Sequence, residues 1–485
     1  MKQRITYVVR NPDSFTPEQL SVKNDAAGAT FTLKDIDAVK EHRITIGLDE
    51  LPGELSTSLT QWNQLHIRWA SERAYSTIPP FTSRVSPGLH IFFTPLETTP
   101  PTALCHALHA AISPDLKCAS NNETAIQLPK LSDRFSMSTA SQYYTHLPSL
   151  EPLLRRLNKT ICPTNLLGGE CTQFVASLLT ASYLDVDYDT ISRALVVTAF
   201  WADAPSKAGW TETIAQPHAD ARVEVGILVS EPNPDPEDIQ FGGFLTVVGE
   251  DEKPTPPNPT CKLHAHITLP SALFIDKHQF TDPLFLDAHN LRALRSLAGA
   301  ADLEAPDWVV PQWGSAGLVE LASPPSDDDS DSDPSSSASS PTPDAEWKAS
   351  IPLHARYLPP SQNTSHSSIP LPWPVVFWAC RSEAGAKMAA SPFERVHLGY
   401  EALFGGRTRF LHVQPGVAAG DVGGKDVGRG LIEYIPIPVL DRSRAAWVQS
   451  GTVGAVFVAF LGLCWVLWGK GLQNRNKGSK EKKTQ

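Results

Sequence analysis

The sequence predicts a mainly β fold: a β-sandwich-like domain behind an N-terminal α+β region, closed by one C-terminal transmembrane helix. Three observations predict it. Proline and glycine, at 42 and 30 of 485 residues, cut the apolar runs into short pieces, which favours strands and turns over long helices. Several of those runs alternate with period two, KLHAHITL at 262–269 among them. Residues 445–469, AAWVQSGTVGAVFVAFLGLCWVLWG, contain no charge. About 20 helical residues are enough to cross a bilayer.

From the front of the chain, residues 5–9 read as a first strand, and the stretch MKQRITYVVRNPDSF has no apolar run of signal-peptide length. Residues 65–69 and 89–93 follow as strands. The most helical stretch is 150–200, with 171–184 (CTQFVASLLTASYL) at its centre. Together these form an N-terminal α+β region over 1–220. A β-rich domain over 221–444 follows, with strands expected at 223–229, 244–248, 262–269, 353–357, 375–378 and 410–413. Residues 322–345 interrupt it with a run of Ser, Pro and Asp that is too polar to offset its ordering entropy, so a disordered acidic insert is expected. Nothing beside Asp327, Asp328, Asp329 and Asp331 would hold them on a metal, so they read as solvated charge. Pro436 and Pro438 make the approach to the membrane stiff.

Trp447 near one end of the apolar span, and Trp465 and Trp468 near the other, suit the two interfaces. The tail, 470–485, sets Lys470, Arg475, Lys477, Lys480, Lys482 and Lys483 against Glu481 alone. Such a tail is expected on the cytoplasmic side, with the preceding bulk lumenal. Lys482 and Lys483 look like a dilysine retrieval signal for the endoplasmic reticulum, though a lysine-rich tail also ends this way by chance. Sequons at Asn122, Asn158 and Asn363 fit a lumenal domain, whereas proline disqualifies the one at Asn258. Oxidising surroundings would permit disulfides among Cys105, Cys118, Cys162, Cys171, Cys261 and Cys380. The pairs closest in sequence are Cys105–Cys118 and Cys162–Cys171. Cys464 reads as a small apolar filler. Gly451, Gly454 and Ala455 form a small-residue patch through which a partner helix could approach closely.

The net charge of -11 lies on a chain only 19% charged, with no dense basic patch outside the tail, which argues against nucleic-acid binding. Asp185-Val186-Asp187 has a metal-binding spacing used by sugar-nucleotide transferases, without the βαβ pattern that would surround it. His264 and His266 share a strand face near Cys261, which leaves a zinc site short of ligands. Cys171, after Gly168, Gly169 and Glu170, stands at a possible helix start with no histidine specified beside it. Neither GxSxG nor HExxH occurs. No catalytic residue, cofactor or metal is expected, and the positive reading is binding.

IPLHARYLPP from Ile351, followed by LPWPVVFWAC from Leu371 to Cys380 and a single terminal span, resembles the fungal Pbn1 and animal PIG-X family. Asp302-Leu-Glu-Ala-Pro-Asp-Trp308 with Trp313-Gly314 is similar to the fungal branch, and the first 200 residues resemble its N-terminal extension. The resemblance implies a noncatalytic glycoprotein subunit of glycosylphosphatidylinositol (GPI) mannosyltransferase I in the endoplasmic reticulum membrane. It would stabilise a multi-pass catalytic partner that transfers the first mannose from dolichol-phosphate mannose to glucosaminyl phosphatidylinositol. Partner contacts are then expected at His354 and Arg356 on one exposed strand face, with Tyr357 turned to the core. The alternative for Arg356 is that it satisfies polar groups inside the fold. Trp373 and Trp378 are core anchors or interface residues, and Gly451 and Ala455 are the candidates in the membrane. Rival readings are a lumenal folding factor, a membrane-anchored lumenal enzyme, and a tail-anchored cytosolic protein.

Overall fold

The computed structural model describes residues 1–9, 15–25, 28–75, 83–129, 141–161, 168–206, 208–215, 222–229, 239–242, 246–249, 256–323, 347–362, 364–381, 403–404, 407–413, 415–416 and 430–481. The chain forms two compact units. One comprises Met1–Arg356 with Pro370–Tyr434, the other Tyr357–Ile369 with Ile435–Gln485.

The N-terminal strands are β1 (Lys2–Val9), β2 (Leu20–Asp25), β3 (Gly28–Ile36), β4 (Ala38–Gly47), β5 (Trp62–Ala70) and β6 (Gly88–Pro95). They continue as β7 (Ile126–Gln127), β8 (Ser141–Thr145), β9 (Tyr183–Asp189), β10 (Ala194–Trp201), β11 (Trp210–Ala215) and β12 (Arg222–Val229). Helices α1 (Gly53–Leu59), α2 (Ala103–Ala111), α3 (Asn121–Thr124), α4 (Glu151–Ile161) and α5 (Gly168–Ser177) lie between them. Nine of these strands form one sheet in the order β12-β1-β4-β10-β9-β5-β6-β8-β7. β1 is paired on both edges, antiparallel to β4 and parallel to β12, so the front of the chain lies within the sheet. The expected helix over 171–184 stops at Ser177, and Tyr183 already begins β9. This strand, not a helix end, carries Asp185 and Asp187.

The rest of the first unit is built from β13 (Ile239–Gly242), β14 (Thr246–Gly249), β15 (Lys262–Pro270), β16 (Leu273–Phe274), helix α6 (Pro283–Ala288), β17 (Leu291–Gly299), β18 (Gly314–Leu321), β19 (Lys348–Ser350) and β20 (His354–Ala355). β21 (His366–Pro372), β22 (Val375–Arg381), β23 (Thr408–His412), β24 (Pro415–Gly416) and β25 (Ile432–Pro438) complete the strands. A five-stranded sheet runs β17-β18-β15-β22-β23. β18 is buried along its whole length, as a central strand covered on both faces must be.

Alternation gives the nine-stranded sheet two unlike faces. His42, Trp69 and Trp201 share one, against the helices: His42 lies 5.0 Å edge-on to Phe174 of α5, and Trp201 Nε1 donates to the Ser177 carbonyl at 3.1 Å. Arg68, His90, Tyr144 and Asp185 share the other. That face meets the five-stranded sheet, with Tyr144 5.3 Å from Trp313 and Ser86 Oγ 3.1 Å from Thr268 Oγ1. Leu318, Val375 and Phe377 belong to the same core as Tyr7, Ile91 and Tyr143.

In the second unit, Ser361 bridges Asp441, and Arg442 N donates to the Ser361 carbonyl at 2.9 Å. The Asp441 carboxylate accepts from Ser443 N at 2.9 Å just before helix α7 (Ala445–Glu481). Residues 442–468 are long and apolar enough to cross a membrane. The helix itself continues beyond the apolar stretch to Glu481, because backbone helix needs no apolar side chains once nucleated.

Candidate partner-binding site

The connection between β17 and β18 contains the Asp302–Trp308 motif, and the first unit fixes it from several sides. Gly299 and Gly314 flank it. Gly299 has φ +106°, where an added Cβ would stand 2.4 Å from the Gly314 carbonyl, so close approach requires glycine. Asp302 Oδ1 accepts from the amides of Glu304 at 2.9 Å and Ala305 at 3.3 Å, closing a turn. Val309 N donates to the Pro306 carbonyl at 3.0 Å. Ser271 Oγ bonds the Asp307 carboxylate, and Lys117 Nζ donates to the Asp307 carbonyl at 3.2 Å. At the far end Trp313 is buried, with Nε1 donating to the Gln142 carbonyl at 2.9 Å and its amide to the Thr124 carbonyl at 3.2 Å.

Arg356 completes the arrangement from beneath. Its Nη1 donates to the Ala305 carbonyl at 2.8 Å and to the Asp302 carbonyl, and its Nη2 to the Ala300 carbonyl at 3.3 Å. The guanidinium lies 4.4 Å over the Phe274 ring. Burial lowers its pKa, while Asp302 and Asp307 act to raise it. Held in this way, the loop presents Leu303, Trp308 and Val309 outward, at 46%, 58% and 61% exposure.

The structure departs from the strand faces expected at 354–357. Arg356 is 4% exposed and Tyr357 80%, the reverse of the expectation. β20 is only two residues long, so strand alternation does not reach Arg356 or Tyr357, and the loop carbonyls need donors more than the core needs a phenol. The alternative role, satisfying buried polar groups, is the one Arg356 occupies. His354 is half-buried, stacked 5.4 Å from Phe274, with Nε2 3.3 Å from Gln279 Oε1. Trp378 is buried in β22 as a core residue, and Trp373 is half-buried with its amide on the Leu431 carbonyl at 2.9 Å. Trp308, exposed within the Asp302–Trp308 motif, is not among the residues that the sequence offered for partner contact.

The other constellations are occupied structurally. Cys261 pairs with Cys380 across β15 and β22, which removes it from any zinc set. His264 is stacked 5.6 Å from Phe377, and its Nδ1 donates to the Lys262 carbonyl at 2.9 Å. Burial lowers the pKa of His264 to about 4 and that of His266 to about 3. Asp185 accepts from His66 Nε2 at 2.7 Å and lies 3.5 Å from Arg68 Nη2, a buried polar cluster on the sheet face. Among the described residues no group of three or more His, Cys, Asp or Glu is placed to hold a metal.

Cys105 pairs with Cys118. Cys162, the Cys171 side chain, Asn363, Lys482, Lys483 and nearly all of the acidic insert (324–345) lie outside the described residues. Asn122 is exposed on α3, and Asn158 is half-buried on α4. Along α7, residues 446–468 are all exposed, Cys464 included, and a Cβ added at Gly451 or Gly454 would meet nothing within 4 Å.

A family model described as PIG-X / PBN1 matches residues 244–468. The chain is similar to Protein pbn1 of Emericella nidulans, at 39% identity over 99% of this chain and 97% of that protein. It is also similar to Protein pbn1 of Aspergillus fumigatus, at 40% identity over 97% and 95%, and of Aspergillus oryzae, at 38% over the full length of both.

Proposed function

The chain belongs to the PIG-X / PBN1 family, and from that membership we propose that it stabilises the multi-pass catalytic subunit of GPI mannosyltransferase I. Its role in GPI mannosylation is noncatalytic, and it is a single-pass protein of the endoplasmic reticulum membrane. The observation that carries the reading is similarity running the full length of the fungal relatives, from β1 through the membrane helix. The supported step is transfer of the first mannose from dolichol-phosphate mannose to glucosaminyl phosphatidylinositol, with this chain bound beside the enzyme.

In this reading the folded bulk is lumenal and the basic tail cytoplasmic. Two observations support that orientation. The Cys105–Cys118 and Cys261–Cys380 disulfides persist in an oxidising lumen, and the excess of basic residues follows the span. Asn122, being exposed, is the sequon best placed to carry a glycan, and loss of a glycosidase-sensitive mass shift in Asn122→Gln reports the side directly. In the membrane, Gly451 and Ala455, four residues apart, are assigned to contact with the enzyme's helices.

The test depletes the protein and follows both mannosylation of glucosaminyl phosphatidylinositol and the abundance of the transferase. Loss of both, with mannosylation restored when the transferase is stabilised by other means, is the expected result. Normal mannosylation overturns the reading.

A further inference from the structure

We infer that the 300–313 connection is a docking surface for a segment of the membrane-embedded transferase that carries apolar side chains flanked by basic residues. The inference deepens the proposed function and rests on it. A loose loop can expose apolar side chains at little consequence, but this one is fixed. Arg356 holds three of its carbonyls, Asp302 closes its first turn, Ser271 and Lys117 hold Asp307, and Trp313 ties its end to the core. Leu303, Trp308 and Val309 are therefore displayed on an ordered support, and exposed tryptophan on a rigid element is typical of a contact hot spot.

Charge selects the occupant. Residues 300–313 contain Asp302, Glu304 and Asp307 and no Lys or Arg; Asp302 closes the turn and Asp307 lies 3.8 Å from Lys117, which leaves Glu304 as the open acid beside the apolar side chains. Glu304 is exposed, and the turn uses its amide and not its carboxylate. An anionic bilayer surface finds no basic cluster here to attract it and meets the open Glu304. A second copy of this chain would bring the same acids against it, which costs affinity. A partner segment offering basic residues around an apolar centre satisfies both features of the patch.

The experiment uses the full-length protein in its native membrane. A photoreactive phenylalanine analogue replaces Trp308, and in a control it replaces Ile191, 93% exposed on the β9–β10 turn. Cross-linking to the transferase from position 308 and not from 191 is expected. Trp308→Ala combined with Val309→Ser should lower co-purified transferase by about tenfold, the loss of one hot spot. Glu304→Lys should lower it by a smaller factor. Retained protease resistance and both disulfides would show that the variants still fold. Cross-links from position 308 to lipid or to a second copy, or undiminished recovery of the transferase by a folded Trp308 variant, would overturn the surface while leaving the subunit reading intact. If the unaltered protein brings down no transferase, the subunit reading falls and the surface with it.

Discussion

Arg356 donates from Nη1 to the Ala305 carbonyl at 2.8 Å, so one family segment closes the backbone of another 51 residues earlier. A planar guanidinium can serve carbonyls of Ala300, Asp302 and Ala305 together, because its donors fan out in a fixed plane. Replacing Arg356 by Ala strands these groups and should cost roughly 2–4 kcal/mol. Arg356→Lys should recover only part of this, since an ammonium lacks the fork. Denaturant unfolding of the purified full chain, read by tryptophan fluorescence, measures both. Equal stability of the alanine variant and the unaltered protein would show that the bonds do not hold the loop.

The two disulfides should differ in worth. Cys105–Cys118 closes a separation of 13 residues, Cys261–Cys380 one of 119. Loop-closure entropy alone predicts about 3 kcal/mol for the short loop and nearly 5 kcal/mol for the long one, before native-state effects. Double serine variants, compared by denaturant midpoint, should therefore lose more at 261 and 380. The opposite ranking would mean that residual structure between 261 and 380 already confines the unfolded chain there. Peptide mapping without reduction checks both pairings beforehand.

How much of this was legible in the sequence depends on distance along the chain. The strands at 65–69, 89–93 and 262–269 were visible because alternation is local, and β5, β6 and β15 contain them. The apolar terminal span was legible for the same reason. The Cys261–Cys380 pair was not, since those cysteines meet only after β15 and β22 find their register. The sequence left Arg356 open between an exposed partner contact and an interior role, because its partners are carbonyls of a distant loop, and carbonyls leave no trace in residue type. The helix expected through Leu184 ends early since Tyr183 and Leu184 are taken into the central sheet, a tertiary choice that outweighs local helix preference.

Acid should unfold the first unit through its buried histidines. Burial lowers the pKa of His42 and His266 to about 3 and that of His90 and His264 to about 4, from an ordinary 6.5. Charges around them add to this: Lys40 faces His42, while Arg68 and His66 face His90. His90 faces His266, and for His264 the lowering by Arg295 and Lys262 is opposed by Glu320. A folded pKa below the unfolded one means that the unfolded chain takes up more protons. The neutral histidines therefore contribute fully above pH 6.5, and stability falls as pH drops from there toward 4 and 3, by up to about 1.4 kcal/mol per pH unit for each group. Denaturation midpoints between pH 8 and 5 should fall steadily below 6.5. His90→Gln should flatten that fall, and an unchanged slope would remove His90 from the account.

The membrane helix should matter to the partner and not to the fold. Residues 446–468 are all exposed, and a Cβ added at Gly451 meets nothing within 4 Å among the described residues. A leucine at Gly451 or at Ala455 would instead hold a neighbouring helix away, since small residues permit close backbone approach in a bilayer. Gly451→Leu should thus leave the unfolding midpoint of the first unit unchanged, and helix propensity within the span slightly improved. Recovery of the transferase with the protein in mild detergent should fall about three- to tenfold, corresponding to roughly 1 kcal/mol of helix contact. Phe457→Leu, which adds no bulk on the same helix, is the control for substitution within the span and should recover normal amounts. If Gly451→Leu and Phe457→Leu behave alike, the span is an anchor only, and all of the partner contact must be made outside the membrane.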